Sequence, residues 1–320
     1  MERNNLFDFY KGILMWGVIW GHCVTSLLNG DDNNVSIHLL FRTYDMPFFM
    51  LISGYFLTFS IKKYSLKQLL FNKVTTILLP TVFWGLINSH NIGSSFYFLY
   101  SVFFSSIIII IADKCLHNKW VRNTFVVLII TVLHLQSYRL WNMPYLFPYF
   151  VIGYWGCIIN RKFNIAVVLT IFVACFCYWD SSYTIWNAGA NLLQPNGVAL
   201  ALFFRTIIAI TGIVVFREFM NILYVYLERS GEKTLRFILD CGKNTLALYI
   251  LHSIVLGHFI NRIVRLICRH VEFNPFNYND MVLGYVYAPW LSVFIMWLLL
   301  FVIRWCKAHK YTNKLFGFKI

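Results

Sequence analysis

Apolar residues in this chain fall in long runs separated by short polar stretches, and run length is the first structural signal they carry. A helix that crosses a bilayer needs about 20 mostly apolar residues. Ten runs approach or meet that length, some short or interrupted: 9–28, 39–60, 71–88, 94–112, 121–136, 144–159, 164–179, 197–216, 244–260 and 285–303. They predict an all-α, polytopic membrane protein of about ten transmembrane helices. The connections are short except for 180–196, 217–243 and 261–284. No stretch has room for a soluble domain and no repeat is visible, so residues 1–320 read as a single transmembrane domain.

Composition agrees with that pattern and closes off other classes. Hydrophobic residues make up 59% of the chain and charged residues 12%, with a mean hydropathy of +0.64. A soluble protein of this size needs more charge on its exterior. Disorder, a collagen-like fibre and a secreted disulfide scaffold are excluded by the same arithmetic. The eight cysteines are scattered, mostly in apolar runs, and show neither a disulfide framework nor metal-ligand spacing. The first run carries Lys11 and His22 and is too long for a cleavable signal peptide.

Charge then sets the expected orientation. The net charge is +14 and the pI about 9.4. With the N-terminus inside, cytoplasmic segments hold 20 Lys and Arg, and the outer loops hold four: Arg139, Arg262, Arg265 and Arg269. Lys11, Arg42 and Arg205 remain inside apolar runs. This bias predicts that both termini are cytoplasmic. It also accounts for the basic pI without any nucleic-acid partner.

Ionisable groups inside spans are costly, so each is a functional candidate. In the first span, Lys11 and His22 are eleven residues apart, about three turns plus 20°, and so share one helix face. Asp8 precedes Lys11 by one turn on that face. Gly17 and Gly21 have the small-xxx-small spacing that permits close helix approach. Depth groups further residues. His22, Asp45, Arg205 and His252 fall in one layer roughly 9–12 Å below the outer face. A histidine acting as a base needs an orienting partner, and Asp45 is the acid at that depth. Asp45 equally suits an i,i+3 pair with Arg42. At the other face, Lys11, Lys73 and Lys243 lie at cytoplasmic helix ends. Those positions suit the phosphates of a large anionic cofactor or, equally, anionic lipid.

Four segments carry a family resemblance: FDFYKGILMWGVIWGH at the start, DMPFFMLISGYFL at 45–57, NKVTTILLP at 72–80 and CGKNTLALYILH at 241–252. In this order they resemble the acyltransferase-3 family of bacterial integral membrane O-acyltransferases. The resemblance implies a ten-helix bundle in the inner membrane that takes an acyl group, usually acetyl, from cytoplasmic acyl-CoA. The acceptor it implies is a hydroxyl of a surface glycan or lipid-linked sugar. The family's first-helix pattern, Arg, ten residues, His, falls on Lys11 and His22, with Lys in place of Arg. Its third-helix basic pair before a proline falls on Lys73 and Thr76 ahead of Pro80, so only the first cation is kept. Asp45 stands where the family usually has His before Met-Pro. A lysine binds phosphate as a point charge, without the fork of an arginine.

On that resemblance His22 is the general base or a transient acyl carrier, and Lys11 and Lys73 hold the phosphates of acetyl-CoA. Ser53 lies in the second motif, where helix packing is the leading reading. Tyr249 and His252 line the acceptor side or pack between helices. No metal is implied and no cofactor is permanently bound. The chain ends about seventeen residues past the last run, so no soluble hydrolase-like domain is expected after it. Either the bundle acylates directly, alone or as a homo-oligomer, or a separate outer acyltransferase completes the transfer. The competing class is a polytopic transporter of a glycan or small anion. A carrier has no need of a cytoplasmic cation and a deep histidine on one face. A different membrane acyltransferase architecture, with a His–Asn pair on separate helices, leaves the four motifs unexplained.

Overall fold

The computed structural model describes residues 4–27, 36–88, 96–135, 142–159, 161–178, 198–256 and 282–308, all helices and connecting turns with no strand among them. In chain order the helices are α1 Asn5–Leu27, α2 Ser36–Lys63, α3 Leu66–Lys73, α4 Leu79–Asn88, α5 Tyr97–Cys115, α6 Lys119–Leu135, α7 Met143–Tyr154, α8 Ile165–Cys177, α9 Val198–Ser230, α10 Glu232–Lys243, α11 Thr245–Ile254 and α12 Ala288–Ala308. The π-helical turns Val74–Leu78 and Leu283–Tyr287 join α3 to α4 and lead into α12. Within the described residues each of the ten apolar runs is mostly helical, although 155–159 form turns. Among the described residues, four stretches are long and apolar enough to cross a membrane: Leu66–Ile87, Tyr97–Cys115, Phe203–Ser230 and Gly284–Ala308.

Helix surfaces carry a membrane signature. On α8 nearly every apolar side chain is exposed, Ile165, Val167, Leu169, Ile171 and Val173 among them, while Phe172 alone of that helix is buried. Water would not tolerate such a face, whereas lipid solvates it. The protein is a membrane protein.

One connection expected from the sequence is instead helical. α9 runs on through 217–230, and α10 occupies most of what remains before residue 244. Arg217, Glu218, Arg229, Lys233 and Arg236 interrupt any apolar run here, yet a helix forms without one; on α10, Lys233 and Arg236 are exposed. α10 buries Leu235, Leu239, Cys241 and Gly242 and turns its charges outward.

The chain divides into two compact units, one from Met1–Arg42 and Phe219–Phe318, the other from Thr43–Glu218. In the first, α1 packs against α10, α11, α12 and the second π turn. Two glycines make the α1–α10 contact possible. A Cβ on Gly12 would strike the Ile238 carbonyl, and one on Gly242 would strike the Asp8 carbonyl. The Trp20 indole donates to the Gly284 carbonyl at 3.0 Å, tying α1 to the turn before α12.

The second unit repeats this device between α2 and α7. A Cβ on Gly54 would meet the Phe150 carbonyl, and one on Gly153 the Leu51 carbonyl. Small residues thus bring two backbones together without any polar group. Arg217, on the part of α9 in this unit, is buried and donates to the carbonyls of Ile158 at 2.6 Å and Arg161 at 3.0 Å. Those carbonyls follow the end of α7, and the guanidinium binds them alongside the Arg161 N–H that reaches Ile158 at 3.3 Å. Seven cysteines among the described residues are free thiols, and Cys268 lies outside them.

Candidate active site

The first and last family-like segments fold against each other within the first unit. α1 carries Asp8, Lys11 and His22 along one helix. α10 and α11 carry the segment 241–252, broken only at Asn244. At one end of this pairing the Asp8 carbonyl lies against Gly242, and the Asp8 carboxylate pairs with Lys11 at 2.7 Å. Asp8 is 5% exposed and Lys11 23%, so the pair has one buried and one accessible member. At the other end the rings of His22 and His252 stand 5.1 Å apart at 42°. About 16 Å of helix separates Lys11 from His22.

Asn244 holds the corner between α10 and α11. It is buried, its amide donates to the Asp240 carbonyl at 2.7 Å, and its own carbonyl oxygen on the side chain accepts from Lys307 at 2.5 Å. Arg304 pairs with Asp240 at 2.6 Å. Two basic residues of α12 thereby fix the start of the 241–252 segment. Burial pushes the neighbouring Cys241 thiol up to about 12, with Asp240 adding to the rise and Arg304 opposing it. Such a thiol stays protonated and is no nucleophile.

The imidazole pair is asymmetric. His22 is exposed and His252 is 1% exposed. His252 lies 2.9 Å through Nδ1 from the Leu248 carbonyl, and a carbonyl only accepts, so Nδ1 carries the hydrogen. Its Nε2 is therefore a bare acceptor, buried and without a hydrogen-bond partner among the described residues. Tyr249 sets its ring edge-on to His252, 5.4 Å away at 70°. Of the four residues assigned to one depth, the structure brings His22 and His252 together. The pairing was not legible from spacing, because depth along two helices says nothing about which faces meet.

Asp45 and Arg205 belong to the second unit. Asp45 is buried on α2, where its carboxylate accepts from the Met46 N–H at 2.6 Å, one residue before Pro47. Arg205 is 2% exposed and stacks its guanidinium over the Tyr145 ring at 3.9 Å. Tyr145 lies within electrostatic reach of both Arg205 and Asp45. Sequence reasoning did not single out Tyr145. An aromatic able to stack on a buried arginine is the signal that points to it.

Lys73 ends α3, immediately before the π turn, and is partly exposed. Thr76, in place of the second cation, returns its hydroxyl to the Asn72 carbonyl at 2.5 Å. Ser53 does the same with Phe49 at 2.8 Å. Both hydroxyls thus satisfy their own helices. Lys243 is exposed at the end of α10. Among the described residues no group of three His, Cys, Asp or Glu is placed to hold a metal ion.

Residues 4–91 match the family described as Acyltransferase domain. That match takes in the first three of the four segments. The chain is 31% identical over 101 residues to "Nodulation protein NolL" of Sinorhizobium fredii (strain NBRC 101917 / NGR234), covering 30% of this chain and 28% of that protein. It is 25% identical over 294 residues to the protein of the same name from Mesorhizobium japonicum (strain LMG 29417 / CECT 9101 / MAFF 303099), covering 79% of this chain and 77% of that one. No solved structure matches.

Proposed function

We propose that the chain, whose residues 4–91 match the acyltransferase domain of the acyltransferase-3 family, is as a whole a membrane O-acyltransferase. In this reading it takes an acyl group, with acetyl the first candidate, from acyl-CoA on the cytoplasmic side. It passes that group to a hydroxyl of a cell-surface or exported glycan, or of its lipid-linked precursor. The protein is multi-pass in a bacterial inner membrane, with about ten spans and both termini cytoplasmic, as the bias of Lys and Arg favours.

One observation carries the reading. The two most specific segments pack together so that a cation–carboxylate pair stands at one end of α1 and an imidazole pair at the other. An acyl-CoA has the same polarity, with phosphates at one end and a thioester at the other. Lys11 then holds phosphate, relieved of part of its bond to Asp8, and the resemblance offers Lys73 as a further phosphate candidate.

His22 takes the proton from the acceptor hydroxyl as its oxygen attacks the thioester carbonyl. The C–O bond forms, the C–S bond breaks, and His22 returns the proton to the departing thiolate. As a carrier, His22 would instead hold the acyl group on nitrogen between two such steps. Asp45, Arg205, Tyr249 and Ser53 stay candidates for acceptor-side or supporting roles on the resemblance and on residue type alone.

The test is mass spectrometry of surface glycan from a deletion strain, complemented with the parent or with His22→Ala. The parent restores an acyl mass increment. His22→Ala restores none, a loss of about 10²–10⁴-fold in rate, at near-normal protein level. Acylation by His22→Ala at the parental rate would overturn the assignment of the base.

A further inference from the structure

The asymmetric imidazole pair supports more than one role for its buried member. We propose that His252 is a positioning residue for His22: its Nε2 accepts the hydrogen bond that sets the tautomer of His22 and shares the proton's charge during transfer. The inference rests on the reading of His22 as general base and deepens it.

Three features converge. First, the hydrogen on His252 is committed to the Leu248 carbonyl at 2.9 Å, which leaves Nε2 able only to accept. Second, that nitrogen is buried and has no hydrogen-bond partner among the described residues. A buried acceptor left unmade is costly, and such an atom calls for a partner supplied during function. Third, the separation is already right. Two imidazoles joined by an N–H···N bond of about 2.9 Å have centroids about 5 Å apart, and these rings stand at 5.1 Å. The bond needs a His22 nitrogen directed at Nε2 and no change in the separation of the rings. Tyr249, edge-on to His252, restrains the buried ring.

Proton accounting follows from the tautomers. Neutral His22 has one N–H. With that N–H directed at Nε2 of His252, the other ring nitrogen presents its lone pair to the acceptor hydroxyl. When that nitrogen takes the hydroxyl proton, His22 becomes an imidazolium whose first N–H is held by His252. The same proton then passes from His22 to the thiolate of the departing CoA, and His22 is neutral again. His252 neither gains nor loses a hydrogen overall. It fixes which nitrogen of His22 does the work.

The experiment compares His252→Leu with His252→Gln, each alone and with His22→Ala, in membranes supplied with acetyl-CoA and the isolated acceptor. Glutamine keeps an acceptor oxygen and leucine does not. His252→Leu is expected to lose about 10–10²-fold in kcat, the scale of a misplaced catalytic group, with both KM values unchanged. His252→Gln should recover most of that loss. In the His22→Ala background, His252→Leu should cost nothing further.

Equal loss in leucine and glutamine variants, tracking protein level, would show a packing role and overturn the inference. A rise in acceptor KM at unchanged kcat would instead make His252 a substrate contact, and also overturn it. A fully active His22→Ala enzyme defeats the base assignment itself, whereas loss in His22→Ala with full activity in His252→Leu defeats the present inference alone.

Discussion

The two glycine crossings, α1 on α10 and α2 on α7, use one device for different ends. In both, a glycine on each helix lets it approach the partner's carbonyl more closely than any Cβ allows. The α2–α7 crossing brings together Leu51, Gly54, Phe150 and Gly153, all buried and apolar. The α1–α10 crossing sets Gly242 against the backbone of Asp8, whose side chain is buried and paired with Lys11. Close packing alone therefore does not mark a functional helix pair. The buried charge beside it does, because removing an ion from water costs several kcal/mol unless something is gained.

The sharpest way to break this comparison is to add a methyl group at each crossing. Gly242→Ala and Gly153→Ala should each lower stability by about 1–3 kcal/mol, the usual cost of overpacking, read as a fall in Tm of detergent-solubilised protein. They should part company in acetyl-CoA binding. Gly242→Ala should weaken it, and Gly153→Ala should leave the Kd of the folded fraction unchanged. Equal Kd values in both would reduce the α1–α10 crossing to scaffold.

A second test separates the charge of Lys11 from its partner. Lys11→Met should weaken acetyl-CoA binding by about 1–3 kcal/mol, as for a lost charged hydrogen bond, and should also destabilise, because it removes a cation paired with the buried Asp8. Adding Asp8→Asn should restore the Tm without restoring the Kd. Recovery of both would mean that Lys11 serves only to neutralise Asp8. The smallest effect is expected at Ser53. Its hydroxyl bonds its own helix at Phe49, so Ser53→Ala should change Tm and kcat by no more than about 0.5 kcal/mol, and a tenfold drop in kcat would place that hydroxyl in the reaction.

How much of this was legible in the sequence differs by element. Where the structure describes them, the apolar runs are mostly helix, because hydrophobic length is a local property of the chain. α10 escaped notice because its apolar residues sit on one face only and never form a run. The Asp8–Lys11 pair was legible, since i,i+3 neighbours on a helix face each other by construction. The His22–His252 pair was half legible. Rise per residue gives depth, but the rotation of one helix about its axis relative to another is set by packing, here by Gly12 and Gly242. Asn244 was missed altogether. An asparagine between two helices looks like any turn residue until Lys307 and Asp240 are seen to hold it.

The π turn at Val74–Leu78 has a consequence of its own. There the Leu79 N–H reaches back five residues to the Val74 carbonyl in place of four, so this helix holds one residue more than a straight α-helix of equal length. One residue is worth about 100° of rotation. The half that ends in Lys73 is therefore turned, relative to the half that begins at Leu79, by about a quarter of a circle from where an uninterrupted helix would place it. Removing a single residue between 74 and 78 would heal the ladder and swing Lys73 to a new bearing while leaving the length of the span almost the same. The aim of that cation is thus set by a count of residues, and a one-codon deletion would be enough to reset it.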